Sequence, residues 1–355
     1  MKKKLDDFAV SMERLERGTP PSEDSGFLGA DLDPEQARIV LIPSPWDVTT
    51  SYRPGTARGP EAIIAASHQL DLDDGSFGKV YRAGIAFLPS PEPIERLNTS
   101  LRIRAEKVMA DLGEGEADPG DLGAVNEGSA TLNRHVRNCA KAILDRGAVA
   151  AVVGGDHASP LGLIHELGER NPDGFGILHF DAHHDLRMAY EGFEFSHASI
   201  FYNVMETVPA VSRLVQVGIR DFCEEERDYM KALGRRGTVF YQREIFKRKA
   251  RGESWDSICK DIVGNLPDKV YVSFDIDGLD PVCCPSTGTP VPGGLSFDEA
   301  VYLFECLAES GRKVIGFDLC EVSPDPAGES EWDANVGCRV LYKLCGLTAV
   351  SRKLI

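Results

Sequence analysis

The 355-residue chain has no apolar run long enough to cross a bilayer; "AVAAVVGG" is among its longest. "MKKKLDDFAV" carries basic residues with no apolar stretch behind them, so no secretory signal and a cytoplasmic location are expected. The chain holds nine cysteines, an odd number, scattered from Cys139 to Cys345 without a CxxC pair. That excludes a disulfide framework and fits a reducing compartment. Basic charge is also short: 39 Lys and Arg stand against 56 Asp and Glu, a formal charge of −17. Nucleic acid and anionic membrane are poor partners for such a surface, whereas a small cationic ligand is favoured.

With 42% hydrophobic and 27% charged residues, the chain reads as globular and long enough for a large core. Residues 1–35 are polar and broken by "GTPPSEDSG", an N-terminal arm with one short helix at 5–17. From 36 to 355 a single domain is expected. Eight short, β-branched, almost wholly apolar runs follow one another: "RIVLIP", "AGIAFLP", "AVAAVVGG", "FGILHFD", "LVQVGI", "TVFY", "KVYVSFD" and "KVIGFD". Such runs suit strands buried on both faces.

Helical patterns lie between most of them. "GPEAIIAASHQL" has Pro60 in a first turn, Gly147 closes "SATLNRHVRNCAKAILDRG", and Ser296 and Glu299 form a capping box. The alternation predicts an α/β fold with a mostly parallel sheet of about eight strands between two helical layers. The Gly- and Asp-rich segment 110–128 reads as a long loop.

In a parallel α/β sheet, ligands bind beyond the carboxyl ends of the strands. Three apolar runs end there on metal-binding side chains. "AVVGGDH" ends on His157, "ILHFDAHHD" carries Asp181, His183 and Asp185, and "YVSFDID" carries Asp275 and Asp277. The every-second-residue spacing predicts an extended chain with these groups on one face and His184 turned away. Mixed oxygen and nitrogen donors without thiolate suit manganese, nickel, iron or zinc better than calcium. Six ligands exceed what one catalytic ion takes from protein. Two ions about 3.5 Å apart, bridged by shared carboxylates, would use them all and make hydroxide available near neutral pH.

With these residues in place the chain resembles the ureohydrolases, the family of arginases, agmatinases and formimidoylglutamases. "GGDHA" is similar to that family's GGDHS, "DAHHD" to its DAHxD, and "SFDIDGLDP" to its SxDxDxxDP. "PWDVTTSYRPGTARGPEAI" resembles the N-terminal agmatinase segment, and "STGTPVPGGLS" and "GFDLCEVSP" match later blocks. The likeness runs from about Arg38 to Cys345. It implies an arginase-like fold and a hydrolase of non-peptide C–N bonds in linear amidines, releasing urea.

By resemblance, His157, Asp181, Asp185 and Asp275 hold one divalent ion, and Asp181, His183, Asp275 and Asp277 the other. Manganese is the usual metal and nickel the alternative. The implied catalytic set is His197, Glu321 and the ligand Asp185. His197 acts near the leaving group, and Glu321 pairs with the guanidinium, which stays protonated in water. Trimers or hexamers of this chain are also implied, and an association with a homologous subunit is open.

Substrate choice is less determined. Where arginases carry an asparagine that binds the amino-acid end of arginine, this chain has Arg187, which argues against arginine. "DLR" resembles formimidoylglutamases, while "SHAS" keeps the histidine of the guanidino-cleaving branch. Arg187 would repel the ammonium of agmatine unless it turns away or pairs with Glu191 or Glu194. The blocks as a whole are nonetheless most agmatinase-like; guanidine, a guanidino acid or a biguanide of the metformin type is the alternative. Arg187, with His197 and Glu321, is read as substrate-binding. Cys283 and Cys284, in "CCPS", depart from the agmatinase pattern and read as packing residues. A non-catalytic, metal-binding partner subunit of the same fold is the competing class. Loss of a ligand would favour it, and all six are present.

Overall fold

The computed structural model describes residues 8–19, 22 and 25–355. All eight apolar runs form strands: β1 (Ile39–Ser44), β2 (Ile85–Phe87), β3 (Val149–Gly154), β4 (Phe175–Phe180), β5 (Val211–Val217), β6 (Gly237–Phe240), β7 (Lys269–Asp275) and β8 (Lys313–Cys320). They build one sheet in the order β2-β1-β3-β8-β7-β4-β5-β6, and every pairing is parallel. β1, β3 and β4 are buried along their whole length, as a sheet covered on both faces requires.

Eleven helices are described. The first four are α1 (Phe8–Glu16), α2 (Gly59–Ala66), α3 (Glu92–Glu114) and α4 (Pro119–Asp145). Then come α5 (Leu161–Arg170), α6 (Ile200–Thr207), α7 (Glu224–Ala232) and α8 (Gln242–Ala250). The last three are α9 (Trp255–Gly264), α10 (Phe297–Glu309) and α11 (Trp332–Ser351). One packed series runs α3–α4–α5–α6 and another α2–α11–α10–α9, giving the three-layer arrangement. The expected caps are present: Pro60 lies in the first turn of α2, and Ser296 and Glu299 exchange hydrogen bonds at the start of α10.

Segment 110–128 is not a loop. α3 runs to Glu114, and α4 starts at Pro119, where the Asp118 side chain accepts from the amides of Gly120 and Asp121. Of its glycines, Gly128 marks close helix packing. A Cβ on Gly128 would sit 2.0 Å from Leu101 Cδ1 on α3. The arm's expected helix appears as α1, with residues 5–7 outside the described part. Leu15, Phe27, Leu28 and Leu32 are buried against the body. No helix among the described residues is long and apolar enough to cross a membrane.

Candidate metal centre and cavity

β3, β8, β7 and β4 are adjacent in the sheet, so the chain segments leaving their carboxyl ends share one crevice. His157 follows β3, Glu321 follows β8, Asp275 ends β7 and Asp277 follows it, and Asp181, His183 and Asp185 follow β4. His157 Nδ1 lies 3.2 Å from Asp181 Oδ2, 3.1 Å from Asp185 Oδ2 and 3.3 Å from Asp275 Oδ2. His183 Nδ1 lies 3.3 Å from Asp181 Oδ1 and 3.2 Å from Asp277 Oδ2. All six expected ligands are therefore brought together, with Asp181 reached by both imidazoles.

The reason they meet differs from strand alternation. β4 ends at Phe180, and the chain then turns: Asp181 Oδ1 accepts from the His183 amide at 2.5 Å, and Asp185 has a left-handed backbone, φ 55°. Asp277 sits in a single helical turn whose amide donates to Asp275 Oδ1 at 2.8 Å. Asp277 Oδ1 in turn accepts from Ala182 N at 3.0 Å, joining the two loops. They touch so closely that a Cβ on Gly278 would lie 2.8 Å from Asp181 N. Short carboxylate–amide turns, favoured by Asp, replace the extended geometry. Glu321 is also left-handed, at φ 64°. For non-glycine residues such a conformation is costly and persists where the surroundings enforce it.

Among the described residues, no Lys or Arg lies within ion-pair distance of Asp181, Asp185, Asp275 or Asp277, all four of them buried. Burial, with Asp181 nearby, pushes Asp185 up to about 8, and burial beside Asp277 raises Asp275 well above the carboxylate range. Burial alone would raise Asp181 too, but His179, His157 and His183 hold it well below. Burial alone would lower His157 and His183, but these aspartates raise both well above the usual imidazole range. Four acids gathered without Lys or Arg fit divalent cations, which would take the place of those protons. Among the described residues two groups of donor atoms that share Asp181 are each compact enough to hold an ion, His157/His179/Asp181/Asp185 and Asp181/His183/Asp277; a third compact group is His157/Asp318/Cys320, and Asp275 belongs to none of the three.

His157, His183, Asp185 and Asp275 line a cavity of about 290 Å³, together with His197, Glu321 and Arg187. Glu321 Oε1 accepts from the His157 amide at 2.9 Å, and burial, then Asp156, raises its pKa well above normal. Burial, with His183 and His157 close by, lowers His197 to about 4, so its imidazole is neutral at pH 7. Arg187 pairs with neither Glu191 nor Glu194. Its Nε faces Glu226 Oε2 at 3.8 Å, and its guanidinium lies over the Tyr190 ring at 4.8 Å. Glu226 is the partner because it caps α7, where its side chain accepts from the amides of Cys223 and Leu186 at the cavity edge.

His184 turns away, its Nδ1 2.5 Å from Gln216 Oε1. Cys283 and Cys284 are buried, and the Cys284 thiol donates to Ile276 O; all nine cysteines are free. Neither adjacent cysteine belongs to a potential metal group among the described residues.

Sequence reasoning gave no role to several buried neighbours. Ser273 Oγ donates to Asp318 Oδ2 at 2.7 Å and therefore meets His157 Nε2, at 2.9 Å, as an acceptor. Nε2 is thus held as a donor, and Nδ1, ringed by Asp181, Asp185 and Asp275, is the nitrogen an ion would take, on losing the proton those acids favour there. His179, two residues before Asp181, places Nε2 at 2.8 Å from Asp181 Oδ2. The i−2 spacing of His179 and the SxD spacing of Ser273 were the available signals.

The Arginase family model matches residues 37–346. The chain belongs to the arginase family. It is 33% identical over 318 residues to the N(1)-aminopropylagmatine ureohydrolase of Thermus thermophilus, covering 89% of this chain and 92% of that one. It is 30% identical over 318 residues to the agmatinase of Pyrococcus horikoshii, covering 90% and 94%. The proclavaminate amidinohydrolase of Streptomyces clavuligerus superposes with a TM-score of 0.70 at 24% identity, over 93% and 98% of the two chains. As an arginase-family member, the chain is a hydrolase of the ureohydrolase type.

Proposed function

We propose that this arginase-family protein hydrolyses the amidino C–N bond of a small guanidino compound and releases urea, most nearly as an agmatinase does. The observation that carries the reading is the cluster of four buried aspartates with no Lys or Arg among the described residues paired to them, and Glu321 lining one cavity with Asp185 and Asp275. His157, Asp181, Asp185 and Asp275 would hold one ion and Asp181, His183, Asp275 and Asp277 a second. Manganese is the first choice and nickel the alternative. When bound, two such ions lower the pKa of a water and supply hydroxide near neutral pH.

The chain's own residues supply the rest. Glu321 is fixed by its backbone turn and by the His157 amide, and presents a carboxylate to a guanidinium. His197 is neutral at rest, so it first takes the proton given up by the attacking water and then passes it, directly or through a water, to the departing nitrogen as the C–N bond breaks. His197→Ala is expected to lower kcat by about 10²- to 10⁴-fold with metal content unchanged. Urea release and metal analysis on one preparation check this, and loss of metal would contradict the role.

Arg187 supports a second reading for the tail of the substrate. Among the described residues it is the one Lys or Arg lining the cavity, and, with Glu226 there offsetting only part of its charge, it would oppose a terminal ammonium while tolerating guanidine, a guanidino acid or a biguanide. Arg187→Ala should raise kcat/KM for agmatine relative to guanidine and guanidinobutyrate by about tenfold or more, the size of one like-charge contact of about 1.4 kcal/mol. An unchanged ratio removes Arg187 from specificity. The deciding experiment is urea release from agmatine, arginine, guanidinobutyrate, guanidine and dimethylbiguanide after loading with manganese or nickel. A fully metallated protein that turns over none of them would be the non-catalytic partner subunit. Assembly into trimers or hexamers, or with a homologous subunit, belongs to the same proposal and is read by light scattering.

A further inference from the structure

Two buried imidazoles reach the same oxygen, Asp181 Oδ2: His157 Nδ1 at 3.2 Å and His179 Nε2 at 2.8 Å. Their ring centroids are 5.2 Å apart, and both belong to the same compact donor group. Proximity therefore does not tell which one ligates an ion. The other nitrogen of each ring does. That of His157 meets an acceptor, the Ser273 hydroxyl oxygen, so a proton stays on Nε2 and Nδ1 is the nitrogen open to an ion.

His179 is in the opposite situation. Its Nδ1 lies 2.8 Å from Gln216 Nε2, and the same amide nitrogen lies 2.7 Å from the His184 carbonyl oxygen. A carbonyl only accepts, so the NH₂ end of Gln216 must face it; the flipped amide would press oxygen against oxygen. One amide hydrogen goes to His184 O and the other to His179 Nδ1. The remaining Gln216 Oε1 accepts from His184 Nδ1 at 2.5 Å, which completes the amide's bonding with every donor matched to an acceptor. A proton on His179 Nδ1 would set donor against donor. The ring thus carries its single proton on Nε2, aimed at Asp181.

We propose that Gln216 is a positioning residue that fixes His179 as the Nε2–H tautomer and makes it a hydrogen-bond donor to Asp181, not a metal ligand. His179 and His157 then split their work on one carboxylate. One orients it through a hydrogen bond, and the other keeps Nδ1 for an ion beside it. The proposal rests on the metal-centre reading only for its consequence, because the tautomer is a property of the metal-free chain.

The test uses full-length, metal-free protein labelled with ¹⁵N-histidine at neutral pH, with His179 assigned by the signal lost in His179→Asn. The expected spectrum is a neutral ring with a one-bond proton coupling on Nε2. On titration with Zn²⁺, a diamagnetic probe, His157 and His183 shift as ligands while His179 keeps that coupling. Gln216→Glu, which has no donor, is expected to move the proton of His179 to Nδ1. Gln216→Met should weaken Zn²⁺ binding by about 10- to 100-fold with an unchanged circular dichroism spectrum. A wild-type His179 protonated on Nδ1, or one that shifts with zinc as His157 does, overturns the proposal. So does a tautomer unmoved in Gln216→Glu. If both variants fail to fold, the wild-type spectrum and zinc titration still decide. Absence of urea release with the expected spectrum would count against the substrate reading alone.

Discussion

Glu321→Gln is expected to lower kcat/KM for the best substrate by roughly 30- to 5,000-fold, the cost of about 2–5 kcal/mol for removing one member of a buried charge pair. The change keeps the side-chain length and an oxygen for the His157 amide, which Glu321 Oε1 accepts at 2.9 Å. Folding and metal content should therefore persist. The loss is electrostatic: a guanidinium in the cavity would no longer meet a carboxylate in a place where burial makes an unpaired charge expensive. An equal effect on guanidino and neutral inhibitors would show that Glu321 acts on packing instead. Metal loss in the variant would show that it belongs to the ion site.

Asp181→Asn is expected to remove essentially all metal and activity. Changes to the hydrogen-bond partners of metal ligands already cost about 10- to 100-fold in affinity, and Asp181 touches both groups of donors directly. His183→Asn, which disturbs only the Asp181/His183/Asp277 group, should instead reduce the bound metal from about two ions per chain to about one. Elemental analysis after gel filtration distinguishes the two variants. Wild-type protein that saturates at a single ion, or an Asp181→Asn protein that keeps two, would end the binuclear reading.

Much of this was legible along the chain. The eight apolar runs became eight strands because a parallel sheet covered on both sides needs side chains apolar on both faces, and that composition is local. The candidate ligands stood out because acids and imidazoles at the ends of such runs are rare unless something cationic holds them. The segment at 110–128 misled because its glycines looked like loop punctuation. Gly128 is instead the space into which Leu101 packs, a fact about two helices that no single window contains. The partner of Arg187 was equally hidden: Glu226 is 39 residues away, and it is brought there by the cap of α7.

The sequence by itself determined the order of strands and helices along the chain, the strand ends that carry chemistry, and the six residues suited to divalent cations, because these depend on residue type and short-range spacing. Tertiary structure decided how those residues meet. Asp181 to Asp185 converge through a turn and a left-handed aspartate, not through strand alternation, since β4 stops one residue short of them. It also decided which imidazole beside Asp181 is suited to hold an ion. That depends on whether the far side of each ring meets an acceptor such as Ser273 or a donor such as Gln216, and both come from distant strands.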